Sequence, residues 1–460
     1  MRISPYSRVL GLAEPTEQGL THAVYNTVVG SITALSEEAA AILQRGLDGP
    51  ISDDDIATLG QQTVADLVRQ GWLLVDGTWE PHRIEMVAQR IRDALSQVAE
   101  YALMPWPHEG ARVEPEHAVD ALSALAEVED RPNRHYYLYA LEQPHLNVLQ
   151  RTLPPFFEHL EASPVDDDGR RLVVLTLDPA LQIDWEPWNA LEEGEGRLRL
   201  ALYPDPEGRP LPERIARLAE VVAGAAQVGF VSWIVIHLTA DAPEGWLDSV
   251  LAGLVESGIM HLCARDPSVT PRSSLDDWRQ FVCELNDLDF SLIERLYEEA
   301  QRSRRRSMLR IHGGGLIDIL DGMVRDREGL RHELYYCRAI PTGYYANLRG
   351  EIWPCPKMAA GLVDDIDVDP LATFGPTQIA PDPDATAAWR GRDVLSVDGC
   401  AGCPGLFACA GGCALEAAHA GGGDLNTTAS QPIEDLMKTV IRTQQRRLTR
   451  SFGPTDGDRR

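Results

Sequence analysis

From about residue 113 to residue 310 the apolar pattern keeps switching between a period near 3.6 and a period near 2, and this alternation restricts the chain more than any other feature. "PEHAVDALSALAEV" predicts a helix, "HYYLYAL" a strand, "VLQRTLPPFFEHLEA" a mostly helical stretch, and "RLVVLTL" and "RLRLALY" two strands. "PERIARLAEVVAGAA" predicts a helix, "SWIVIHLT" a strand, "WLDSVLAGLVESG" a helix and "IMHLCA" a strand. Strands alternating with helices in this way form β/α units on a parallel sheet, so the expected class is α/β and the expected form an open or partial (β/α) barrel. Residues 285 to 305 read as one more helix, and "IHGGG" at 311 to 315 as a loop or helix-start turn. Those glycines do not make a hydrolase site, because no GxSxG accompanies them.

A chain of 460 residues, 44% apolar, has the material for several packed cores. Its net charge of -28 argues against a nucleic-acid partner, since an acidic surface repels phosphate. The basic run Arg302 to Arg306 reads as a solvated helix face. "MRISPYSRVLGLAEP" has no signal-like apolar core and no run of eighteen apolar residues occurs, so neither export nor membrane insertion is expected and the cytoplasm is the expected compartment. In a reducing compartment clustered cysteines read as a metal or redox site. Six of the eight lie between Cys337 and Cys413, while Cys263 and Cys283 read as small buried hydrophobes.

Residues 7 to 78 read as a separate unit. "HAVYNTVVGSITAL" places β-branched and aromatic residues on both sides of Gly30, as in a hairpin. Ser36 can cap the helix "EEAAAILQRGL", and Val64, Leu67 and Val68 mark a later helix ending near Gly71, before the strand "WLLV". This order resembles the winged-helix-like PqqD domains that bind leader peptides of ribosomally made, post-translationally modified peptides. The resemblance implies precursor binding by strand addition to a sheet edge.

The six clustered cysteines follow a fixed order: Cys337, twelve residues, Gly350, four residues, Cys355, a long gap, then "CAGCPGLFACAGGC" with Cys400, Cys403, Cys409 and Cys413. Tight Cys-x-x-Cys turns set two thiolates on one metal face, and Gly402, Gly411 and Gly412 let backbone amides approach cluster sulfides. Soft thiolates select zinc or iron-sulfur clusters, and the spacing alone leaves both open.

With "NLRGEIWPCP" leading to Cys355, the framework resembles the SPASM domain, the auxiliary iron-sulfur module behind the barrel of radical SAM peptide maturases. The resemblance implies [4Fe-4S] clusters, one held by Cys400, Cys403 and Cys409 and another by Cys337, Cys355 and Cys413. The family's seventh cysteine, beyond the Cys413 position, is missing; His419, Glu416, Asp424 or Asp398 are the available substitutes, His419 being the nearest soft donor.

A larger departure lies upstream. Radical SAM enzymes bind S-adenosylmethionine through a CxxxCxxC loop, and here no cysteine precedes Cys263. "YALMPWPHEGARVEPEHAVDAL" takes the place of that loop, and Ala140, Leu141 and Glu142 stand where the family has glycine, glycine and glutamate. S-adenosylmethionine is therefore not an expected cofactor. His108, Glu109, His117, Glu142 and His145 can form a replacement polar or metal site, or simply lie on the surface.

The expected domains are 1–90 (PqqD-like), 91–330 (degenerate radical-SAM-like barrel), 331–445 (SPASM-like unit with a C-terminal helix "PIEDLMKTVIRTQQRRLTR") and a tail, 446–460. The expected function is that of an accessory protein in peptide maturation, with a precursor peptide and an active maturation enzyme as partners. Two other readings stand beside it: a peptide-modifying enzyme using an open iron site or the barrel mouth, and a zinc-stapled structural protein.

Overall fold

The computed structural model describes residues 1–12, 19–75, 79–104, 113–129, 131–140, 142–162, 170–190, 196–202, 209–237, 246–257, 262–265, 309–312, 332–361, 366–376 and 378–428. The hairpin around Gly30 is formed by β3 (His22–Asn26) and β4 (Ser31–Leu35), with β1 (Arg2–Ile3) and β2 (Ser7–Gly11) before it. β2 pairs antiparallel with β3 and β3 with β4, giving a three-stranded sheet. Asn26, fully buried, closes the turn: its side-chain carbonyl accepts from the Val28 and Val29 amides, and its amide donates to Ser4 and Ser7 Oγ. Gly30 completes the turn at a φ of 77°, a conformation open to glycine at no steric cost.

Three helices follow. Ser36 caps α1 (Glu37–Asp48) by accepting from the Ala39 amide, and Ser52 and Asp55 form a reciprocal capping box on α2 (Asp53–Leu59). α3 (Gln61–Arg69) buries Val64 and Leu67 against Ile3, Leu43 and Trp72. The expected strand at "WLLV" is β5 (Leu73–Leu74), which pairs with β1 rather than with the three-stranded sheet. An 18-residue helix, α4 (Trp79–Ser96), comes next and was not expected; Ile84, Val87, Ala88, Ile91 and Leu95 give it a core-facing stripe.

The alternating region forms β6 (Val98–Met104), α5 (Pro115–Glu129), β7 (Asn133–Ala140), α6 (Gln143–Ala162), β8 (Arg170–Leu177), β9 (Gly196–Leu202), α7 (Leu211–Gln227), β10 (Val231–His237), α8 (Trp246–Glu256), β11 (Leu262–Arg265) and β12 (Leu309–His312). β6 to β12 lie side by side in chain order, every pair parallel. Crossovers between such strands are right-handed, so sequential order sends each helix to the same face, and the helices cover one side of the sheet. On the covered side Tyr101, Leu103, Tyr136 and Leu138 meet Val119 and Leu122 of α5 and Thr152 of α6. On the other side the Arg199 guanidinium lies 5.4 Å from the Tyr137 ring centre and 5.8 Å from that of Trp233.

The sheet continues beyond the alternating region. β13 (Gly343–Asn347) adds parallel to β6, and β14 (Glu351–Trp353), β15 (Ala372–Phe374) and β16 (Ile379–Pro381) follow antiparallel, making eleven strands. The cysteine region is thus an extension of the parallel sheet, joined at β6. "IHGGG" begins as a strand, with Ile311 and His312 paired to Ala264 and Arg265, because the β11 edge supplies their hydrogen-bond partners; Gly313 to Gly315 lie outside the described residues. So do residues 285–305, Arg302 to Arg306, Cys283, His108, Glu109, Leu141, residues 432–450, where a C-terminal helix was expected, and the tail, as does the Cys263 side chain. Among the described residues no helix is long and apolar enough to cross a membrane.

Candidate metal centre

The six clustered cysteines are free of disulfides. Cys337 precedes the short helix Ala339–Thr342, which Arg390 ties down by donating to the carbonyls of Ala339, Ile340 and Gly343. Cys355 follows β14 and stands at the N-terminus of the helix Pro356–Ala359. The hairpin that delivers it turns at Gly350, whose φ is 84° and whose absent Cβ would lie 2.5 Å from the Phe374 carbonyl oxygen. Cys413 likewise precedes the helix Ala414–Ala420.

These three thiols are electrostatic neighbours. Burial, then the adjacent Cys355 charge, pushes the Cys337 thiol up to about 12; Cys413 is pushed up to about 11 by burial and then by Cys355. Burial also raises Cys355, against the Met358 and Lys357 amides that favour its thiolate. Cys337 as a residue keeps solvent contact, which tempers its burial, but the charges of Cys355, Cys413 and Glu100 act in the same direction. Thiols kept protonated by burial, and at Cys337 and Cys413 also by the Cys355 charge, become ligands when a soft cation replaces their protons.

Cys400, Cys403 and Cys409 occupy one loop. The Cys403 amide donates to the Cys400 carbonyl at 3.0 Å, the Gly405 amide to Cys403 Sγ at 3.4 Å, and the short helix Leu406–Cys409 ends the loop. Burial and the Cys403 charge raise Cys400, while Arg392 opposes them. Ala410, Gly411 and Gly412 then run left-handed at φ of 50°, 77° and 73°, reversing the chain between Cys409 and Cys413. Gly402 has the same hand at 80°.

Among the described residues no three Cys, His, Asp or Glu donors already form a metal-ligand group. The donor chemistry fits a soft metal or cluster, and the side chains have still to converge on it. Of the proposed substitutes for a seventh cysteine, His419 is exposed in the last turn of its helix, whereas Glu416 acts directly on Cys413 through its amide and its carboxylate. Asp398 is exposed, and Asp424 accepts from the Asn426 amide at 2.9 Å. In the β/α region, His145 is buried at 2% exposure rather than on the surface and lies 4.0 Å from the Glu142 carboxylate, while His117 is half-buried on α5. Ala140 is fully buried at the end of β7.

Three groups beside the thiols escaped the sequence reading. Glu100 on β6 accepts from the Tyr345 hydroxyl at 3.5 Å and acts on Cys337. Lys357, 7% exposed, acts on Cys355 and Cys413, and Arg392, 3% exposed, acts on Cys413, Cys400 and Cys409. Only the adjacency of Lys357 to Cys355 was visible as a signal.

The N-terminal unit rests on the second cysteine loop. Thr27 Oγ1 donates to the Pro404 carbonyl at 2.7 Å, the Gly402 amide faces the Tyr6 hydroxyl, and the His332 ring stands edge-on to Phe407 at 5.6 Å. Fold and site together define an α/β protein with an open, mostly parallel sheet and a thiol-rich C-terminal unit joined to its first long strand.

No protein-family model matches the chain, and no curated protein matches its sequence. Among solved structures it is similar to SuiB of Streptococcus suis bound to S-adenosylmethionine, with 13% identity, a TM-score of 0.44, and 94% of this chain and 99% of that chain covered. It is also similar to native anSMEcpe with bound AdoMet and Cp18Cys peptide, with 10% identity, a TM-score of 0.47, and 77% and 99% covered.

Proposed function

We propose that this chain is an accessory protein in the maturation of a ribosomally made peptide, a radical SAM/SPASM relative that no longer generates a radical itself. Residues 1–90 engage the precursor leader by pairing it to an edge of the β2-β3-β4 sheet. Residues 91–330 and 331–445 present the peptide to an active maturation enzyme. Cys337, Cys355 and Cys413 hold one iron-sulfur cluster, with Glu416 ahead of His419 as the added ligand, and Cys400, Cys403 and Cys409 hold a second. Such clusters supply structural cross-linking or a path for electrons.

The observation that carries this reading is the combination of a six-cysteine framework from Cys337 to Cys413 with a barrel region that has no cysteine before Cys263. The test is anaerobic purification followed by two assays: iron, sulfide and zinc per chain, and deoxyadenosine formation from S-adenosylmethionine with a strong reductant. About four or eight irons with matching sulfide and no deoxyadenosine support the reading. Deoxyadenosine from this chain alone refutes the accessory role, and about one zinc without sulfide refutes the clusters. The solvent contact of Cys337 favours one rival, an enzyme with an open iron site at the first trio; peptide modification by this chain without a partner would establish it.

A further inference from the structure

Arg392 is buried at 3% exposure, and its guanidinium donates to three carbonyls: Leu425 at 2.5 Å, Gly412 at 3.1 Å and Gly411 at 3.0 Å. Carbonyl dipoles satisfy its donors without neutralising its charge, and a buried charge left without a counter-charge is costly. Among the described residues no carboxylate forms an ion pair with it. The adjacent Asp393 is committed elsewhere: it binds Arg92 Nη2 at 2.7 Å and accepts from the Leu395 and Ser396 amides. The carbonyls it holds at Gly411 and Gly412 belong to the segment that joins Cys409 to Cys413, so its charge sits beside thiols instead, and it interacts with Cys413 of the first trio and with Cys400 and Cys409 of the second. A second buried cation, Lys357, stands in the same relation to Cys355 and Cys413.

We infer that Arg392 is the counter-charge shared by the two cysteine groups, a positioning residue that stabilises both sets of thiolates and the anionic centres they hold. The inference rests on the metal-binding reading above and extends it, because it makes the two centres electrostatically dependent on one side chain. A cation hydrogen-bonded to Gly411 and Gly412, the residues that join Cys409 to Cys413, favours metal-loaded thiolates over protonated thiols at both groups. It also fixes the carbonyls of the left-handed Gly411–Gly412 turn, so the reversal that carries the chain from one group to the other carries their shared charge with it.

The test compares full-length wild type, Arg392→Lys, Arg392→Gln and Lys357→Gln, purified anaerobically. The readouts are iron, sulfide and zinc per chain, metal retention against a chelator, and thermal unfolding of the metal-free proteins. Arg392→Gln should hold metal about 10- to 100-fold more weakly and Arg392→Lys should stay near wild type; both variants lose guanidinium bonds to the Leu425, Gly411 and Gly412 carbonyls, so their metal-free forms should be destabilised to a similar degree while their metal retention differs. Lys357→Gln leaves the glycine turn untouched and should weaken metal retention when a charge is what the thiols require. Equal retention by wild type, Arg392→Gln and Lys357→Gln overturns the inference. So does equal loss in Arg392→Lys and Arg392→Gln with destabilised metal-free proteins, the mark of a carbonyl staple. A wild type that binds no metal overturns the metal-binding reading itself, and the wild-type sample alone reports that.

Discussion

His332 should make the junction between the N-terminal unit and the cysteine loop sensitive to acid. Its ring donates to the Val28 carbonyl, its edge meets Phe407, and its Nε2 is buried without a hydrogen-bond partner among the described residues. Protonation would place a second N–H where no acceptor stands, near Arg90 and Arg83. Burial first and those arginines next lower its pKa from 6.5 to about 4. The folded state therefore binds a proton less readily than the unfolded state, so the contribution is complete above about pH 6.5 and is lost as pH falls toward 4. The full shift corresponds to roughly 3 kcal/mol, of which about 2 kcal/mol is lost between pH 7 and pH 5. His332→Asn keeps a donor for Val28 and does not titrate. Urea unfolding of both proteins at pH 7 and pH 5, with hydrogen exchange of residues 27–30 as a local probe, isolates the histidine from other titrating groups. The wild type should lose about 2 kcal/mol more than the variant on acidification. An equal loss in both would refute the reasoning.

Other substitutions test the architecture. Gly350→Ala puts a Cβ against the Phe374 carbonyl at a φ of 84° and should cost about 3 kcal/mol, read as a lower thermal midpoint together with metal loss from the Cys337, Cys355 and Cys413 group. Thr27→Val leaves the Pro404 carbonyl without its donor and should cost about 1 kcal/mol in urea unfolding, with roughly fivefold faster hydrogen exchange in residues 402–407. Cys355→Ala and Cys403→Ala should each remove roughly half the iron and sulfide when two clusters form; loss of everything from either variant means a single centre.

What the sequence made legible was local. The hairpin at Gly30, the Ser36 cap and the stripe of Val64 and Leu67 each depend on neighbours a few residues away, and the structure has all of them. The helix Trp79–Ser96 is written in the sequence too, in the stripe of Ile84, Val87, Ala88, Ile91 and Leu95, although charged residues interrupt that stripe at nearly every turn. Non-local choices were not legible. Nothing in "GYYAN" tells that it will pair with β6 rather than close a separate unit, and "IHGGG" read as a turn because the β11 edge that makes Ile311 and His312 a strand lies far away in sequence. Of the site, the six cysteines announced themselves by spacing. Arg392 and Lys357 did not, because a charged residue in a loop reads as solvated until tertiary packing buries it.

The pairing of β13 with β6 also sets an order of events during synthesis. Tyr345 and Glu100, which meet across that pair, are 245 residues apart in the chain. At ribosomal speeds of about 5 to 20 residues per second, one edge of β6 waits roughly 10 to 50 seconds for its final neighbour. An open strand edge is a template for wrong partners, including the same edge of another nascent copy. Aggregation during expression should therefore concentrate on β6, and slow translation or a chaperone that shields strand edges should change the yield of this chain more than its final stability.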